Sequence, residues 1–97
     1  MYRIIEGRGT GKTSRLMLFA KENNAIFVCG NPDAMRYKAK AYGIDSVNFI
    51  SYGDFFNHYS EYSNQKYVVD EIEVFIQQAL FYKNELLGYT LSIDEIK

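Results

Sequence analysis

The chain of 97 residues predicts a single α/β domain with a small, mostly parallel sheet of four to five strands. Three observations carry that prediction. Short apolar runs alternate with stretches of helical length. The run Ala25-Ile26-Phe27-Val28-Cys29 is continuously apolar and bounded by turn residues, as in a strand covered on both faces. A glycine-rich turn, Gly7 to Gly11, stands between the first apolar run and the first helical stretch.

The elements follow in order. Tyr2-Arg3-Ile4-Ile5 reads as a short strand, and Ser14 to Lys21 as a helix closed by Asn23-Asn24. After the 25–29 strand, Asn31-Pro32-Asp33 starts a second helix. Asn31 suits the cap, Pro32 the first helical position, and Asp33 the positive end of the dipole. That helix runs to Tyr42 and stops at Gly43. Val47-Asn48-Phe49-Ile50-Ser51 is a third strand, and Asp54 is placed to cap a short helical turn carrying Phe55 and Phe56. Residues 59–65 are polar and read as an exposed loop. Tyr67-Val68-Val69-Asp70 is the fourth strand. Residues 73–87 have helical length before the stop signal Gly88. Their apolar positions spread beyond one stripe, which suits a deeply buried helix or half of an interface with a second copy or another protein. Residues 89–93 are a candidate last strand. In such a sheet the site is expected at the carboxyl ends of the strands, where the glycine loop, Ser51 and Asp70 all fall.

Composition narrows the function classes. A hydrophobic fraction of 47% predicts folding, and a net charge of −1 argues against a protein wrapped globally around nucleic acid. One cysteine, Cys29, excludes an intramolecular disulfide and a multi-cysteine zinc site, and reads as core filler at a strand end. No apolar run approaches the ~18 residues of a membrane span, and the N-terminus has no basic-then-apolar leader. A reducing cytoplasm is the expected compartment.

The chemistry concentrates in Glu6-Gly7-Arg8-Gly9-Thr10-Gly11-Lys12-Thr13. Glycines let successive backbone N–H groups turn inward as a cradle for anionic oxygens. The helix start behind them adds unpaired donors and partial positive charge. Gly7 to Ser14 is thus a candidate polyphosphate site, with Lys12 reaching the outer phosphates and the Thr13 hydroxyl holding magnesium.

Glu6 to Thr13 resembles the Walker A motif of P-loop NTPases, and Tyr67-Val68-Val69-Asp70-Glu71 resembles Walker B. The Asp-Glu ending is similar to the branch with an added catalytic glutamate, which includes helicases, AAA-type ATPases and viral DNA-packaging terminases. The resemblance implies a three-layer fold and an ATP or GTP site with Mg²⁺. It implies slow hydrolysis in phage or mobile-element DNA metabolism or packaging. It also implies that Asp70 holds the metal opposite Thr13, usually through water, and that Glu71 orients and deprotonates the attacking water. Lys12 would act on the γ-phosphate and Arg8 on transition-state charge. For Arg8 a solvated loop charge is an equal alternative, and Asp70-Glu71 also suits a plain helix start.

Two departures bear on this reading. The motif ordinarily begins with glycine or alanine where Glu6 stands, and a carboxylate 4 Å from phosphate charge costs about 1 kcal/mol even in water. Either Glu6 turns toward Arg8 or another cation, or it marks a loop that binds phosphate weakly or not at all. Members of that branch also continue past Walker B with a polar sensor, for which only Thr90 or Ser92 offers itself. Two alternatives stay open: a module that binds a host or viral partner without turnover, and a small nucleotide kinase.

Weaker signals remain. Arg36-Tyr37-Lys38-Ala39-Lys40-Ala41-Tyr42 interleaves cations and rings, which fits either a nucleic-acid patch or a solvated helix face. Nine tyrosines and seven phenylalanines fit a thin aromatic core, and His58 has no metal-ligand pattern beside it.

Overall fold

The computed structural model of the chain describes residues 1–7, 9–62, 64–80 and 90. Their elements are α1 (Lys12–Glu22), β1 (Ile26–Cys29), α2 (Pro32–Ala41), β2 (Asn48–Ser51), α3 (Tyr52–Asn57), α4 (Tyr59–Tyr62), β3 (Tyr67–Val69) and α5 (Ile72–Leu80). The three strands form one parallel sheet in the order β2-β1-β3. Ile26 stands level with Asn48 on one side and Tyr67 on the other, and Val28 with Ile50 and Val69.

The continuous apolar run of β1 is explained by its place. It is the middle strand and all four of its residues are buried. Alternate side chains serve opposite faces. Phe27 and Cys29 join Met17 and Ala20 of α1, Ala39 of α2 and Phe49 in one cluster. Ile26 and Val28 join Ile50, Tyr52 and Phe55, with Phe75 of α5 packed against them, in the other. Helices thus cover both faces of the sheet. Phe27 is fully buried with its ring 5.1 Å from Phe49, so truncation to alanine would cost about 3–5 kcal/mol.

The helix starts follow local chemistry. The Asn31 side chain accepts from Ala34 N at 3.1 Å, Pro32 occupies the first turn, and Asp33 lies at the dipole's positive end. At α3 the cap is Ser51, whose hydroxyl accepts from Asp54 N at 3.0 Å. Asp54 sits inside the first turn and is not the cap the sequence suggests. Serine at the end of β2 keeps the extended backbone a cap requires.

Three further expectations are revised. Residues 2–5 form no ladder; the Tyr2 ring stacks on Phe19 of α1 at 4.4 Å and Ile5 stays 65% exposed. A segment this short finds apolar cover on a helix without the register that strand pairing demands. The sheet of the described residues accordingly has three strands, fewer than the four to five expected. Within the polar stretch 59–65, residues 59–62 form the helical turn α4, because the Tyr59 and Tyr62 rings pack 5.6 and 6.1 Å from Phe55. The last strand expected at 89–93 and the latter part of the 73–87 helix lie outside the described residues, apart from an exposed Thr90.

No helix among the described residues is long and apolar enough to cross a membrane.

Candidate functional site

The glycine loop curls back over its own beginning. Gly9 and Gly11 both adopt φ of 76°, a left-handed conformation that side chains resist. Gly11 is the N-cap of α1, with no side-chain cap bond and no acid in the first turn. The first N–H groups of a helix have no partner within it, so this end presents donors and partial positive charge.

The loop's side chains serve its carbonyls. Thr10 Oγ1 donates to Gly7 O at 2.9 Å, and Ser14 Oγ donates to Gly11 O at 3.0 Å. Lys12 Nζ folds across the turn and donates to Glu6 O at 3.0 Å. The Glu6 carboxylate is taken up by Arg15, whose Nη1 and Nη2 donate to Oε2 and Oε1 at 2.8 and 2.5 Å. The cation that answers Glu6 is therefore Arg15 of α1; Arg8 lies outside the described residues. Arg15 holds the Glu6 carboxyl below its usual range, chiefly by hydrogen bonding.

Across the sheet end, Thr13 Oγ1 donates to Asp70 Oδ1 at 3.4 Å, joining residues 57 positions apart. Asp70 follows the last residue of β3, and its N–H donates to Val28 O at 2.9 Å, which continues the parallel ladder and fixes its backbone. Burial raises the Asp70 pKa first and repulsion from Glu71 adds to it. The Thr13 hydrogen bond and the charges of Lys38 and Lys12 oppose the rise.

Glu71 makes the turn from β3 into α5. Its carbonyl accepts from Val74 N and Phe75 N at 3.0 and 3.2 Å, and its backbone is left-handed with φ of 58°. A non-glycine residue holds such a conformation only where its surroundings fix it. Here the fixing group is Tyr52, whose hydroxyl donates to Asp70 O and reaches Glu71 O at 3.4 Å. The Tyr52 ring is buried and meets Phe75 edge-on at 5.6 Å. Burial and the Asp70 charge push its hydroxyl pKa well above the usual range, so it stays a donor.

The structure thus brings together Thr13 and Asp70, sets Glu71 one residue beyond, and folds Lys12 back on the loop mouth. Arg15 and Tyr52 were not singled out from sequence. The signal for Arg15 was the unexplained acid at position 6. The signal for Tyr52 was its place directly after Ser51, at the carboxyl end of a strand beside β1. Cys29 is buried, donates to Ile50 O at 3.6 Å, and has its thiol pKa pushed up to about 11 by burial, so it is a core residue and not a thiolate.

Other sequence signals resolve differently. Arg36 pairs with Asp33 at 2.5 Å, while Tyr37 is 78% exposed. His58 Nδ1 lies 3.5 Å from Glu61 Oε1. Ile72 and Val74 of α5 are exposed, and Phe75 points into the core cluster. A concavity of about 440 Å³, lined by Arg36, Lys40, Ile44, Ser46, Val47 and Phe49 among others, lies toward the amino end of β2. Thr13 and Asp70 sit at the opposite, carboxyl end, where sheets of this kind take ligands. No group of three or more His, Cys, Asp or Glu able to hold a metal occurs among the described residues.

No known protein family, no curated protein and no solved structure matches this chain.

Proposed function

We propose that the loop from Gly7 to Ser14 binds the phosphates of ATP or GTP with Mg²⁺, and that the chain hydrolyses the nucleotide slowly. The observation that carries this reading is the 3.4 Å contact between Thr13 Oγ1 and Asp70 Oδ1 beside an uncapped helix start. Both are hard oxygen donors, and adjacent ligands of one octahedral magnesium lie about 3 Å apart, so the pair suits that ion. The few protein donors suit it too, because magnesium keeps several waters and takes phosphate oxygens for the rest. Bound magnesium would neutralise and orient the phosphates.

The chain's own groups then have distinct tasks. Amides at the start of α1 hold phosphate oxygens. Lys12 exchanges its bond to Glu6 O for a phosphate oxygen, which is a stronger, charge-assisted bond. Thr13 and Asp70 hold the cation. Glu71 orients a water and takes its proton, and Tyr52 fixes the backbone from which Glu71 projects.

Calorimetry with magnesium and a non-hydrolysable ATP analogue tests the reading. Wild type binds, and Lys12→Ala loses affinity by about 100-fold or more, near 2.7 kcal/mol. Unchanged affinity in that variant removes the proposal. Phosphate release separates turnover from binding alone. Glu71→Gln keeps affinity and loses about 100-fold or more of the rate. Exposed Ile72 and Val74 on α5 favour a second reading, a nucleotide-binding module that docks a partner; binding without phosphate release supports it.

A further inference from the structure

We propose that Arg15 is the positioning residue of the phosphate loop and Glu6 its anchor, the two forming a strap that holds the turn in its cradle shape before any ligand arrives. This rests on the nucleotide reading above and explains the residue that reading left unexplained, an acid where glycine or alanine is customary.

The geometry argues for a strap and against an incidental surface pair. Arg15 spends every nitrogen of its guanidinium on residues 6 to 11. Nη1 and Nη2 take both Glu6 oxygens at 2.8 and 2.5 Å, Nη2 also donates to Thr10 O at 3.2 Å, and Nε donates to Gly11 O at 3.4 Å. One side chain thus bridges the first residue of the turn and its last two. A single exposed ion pair contributes little because two long side chains must be ordered for one contact. Here one ordered side chain serves one carboxylate and two backbone carbonyls, and the fork geometry admits no substitute of different shape.

The need is entropic. Gly9 and Gly11 give the turn the freedom to adopt φ of 76°, and equal freedom to leave it. Ordering a glycine turn at the moment of binding would be subtracted from affinity; ordering it beforehand is preorganisation. The same contact removes the electrostatic objection. The carboxylate at the loop mouth is matched by a guanidinium in direct contact, so an arriving polyphosphate meets a neutral pair and keeps Lys12 as its cation.

The test compares Glu6→Gln, Arg15→Lys, Arg15→Gln and the Glu6→Gln/Arg15→Gln double variant with wild type, all as full chains. Amide order parameters at Gly9, Thr10 and Gly11 are measured in ligand-free protein, and affinity is measured for magnesium-ATP. Each single variant is expected to let the loop order parameters fall from about 0.85 toward 0.6. Each is expected to bind about 3–10-fold more weakly, with helix content unchanged. The double variant should be no worse than either single one, as members of one unit behave. Arg15→Lys is decisive: it keeps the charge and loses the fork, so wild-type behaviour there overturns the strap. Tighter binding by Glu6→Gln also overturns it, since the acid would then be an obstacle. If wild type binds no triphosphate, the nucleotide reading fails by itself and the order parameters alone decide the strap.

Discussion

Two long helices of this domain begin at the same end of the sheet and begin differently. α2 consumes its own start: Asn31 accepts from Ala34 N, Pro32 removes a donor and Asp33 answers the dipole. α1 has a glycine at the cap, no side-chain cap bond and no acid in its first turn. The contrast extends to the residues before each helix. The carbonyls of Glu6, Gly7, Thr10 and Gly11 ahead of α1 accept from the side chains of Thr10, Lys12, Ser14 and Arg15, so these acceptors are met and the helix-start donors are left over. A chain that needs only a folded helix uses the arrangement of α2. The α1 arrangement costs stability unless something else supplies the anion.

The largest effect that breaks or sharpens this contrast is the pairing of Lys12→Ala with Asn31→Ala. The first loses nucleotide affinity by the hundredfold stated above and melts like wild type. The second loses about 1 kcal/mol in chemical denaturation and keeps its affinity. If Asn31→Ala lost affinity to the same degree, the two helix starts would not be divided into one for binding and one for folding.

Asp70→Asn is next. Because burial and Glu71 raise the native carboxyl pKa, the native state binds more protons than the unfolded chain between the ordinary aspartate value and the raised one. Stability therefore falls as pH climbs through that window, the reverse of an ion-paired aspartate. The ligand-free Asp70→Asn variant should melt above wild type at neutral pH, with the gap closing in acid below about pH 4. Magnesium-nucleotide at 100 times its dissociation constant should stabilise wild type by about 2.7 kcal/mol and the variant by much less. Scanning calorimetry at several pH values checks both signs.

The smallest effect is Tyr52→Phe. It removes one hydroxyl from Asp70 O and Glu71 O and keeps the ring against Phe75. We expect a loss of about 0.5–1.5 kcal/mol in denaturation and a lower kcat with KM little changed. A raised KM with unchanged kcat would assign Tyr52 to ordinary packing.

What was legible in the sequence divides along physical lines. β1 declared itself because a strand buried on both faces has no polar positions, and α2 because its start is encoded within three adjacent residues. Ser51 does not stand out as a cap because Asp54, three residues on, suits the same role by type. The absence of a strand at 2–5 was illegible, since pairing depends on a neighbour that composition does not name. Residues 59–62 looked like loop because their helical turn rests on Tyr59 and Tyr62 packing against Phe55, a distant contact. That Asp70 lies opposite Thr13 is what the motif resemblance implies, whereas the Glu6–Arg15 pair depends on how sharply the glycine turn curls.

The order β2-β1-β3 has a consequence for how the chain comes into being. Among the described strands the first in sequence is the middle one, so during synthesis β1 offers two bare edges until Asn48–Ser51 and then Tyr67–Val69 emerge. Parallel pairing over such separations is slow, and an unclaimed strand edge is sticky. The carboxylate that meets Thr13 arrives one residue after the last of these strands, so a chain cut short before Asp70 lacks this contact. The contact between Thr13 and Asp70 therefore reports that all three strands of the described sheet are present.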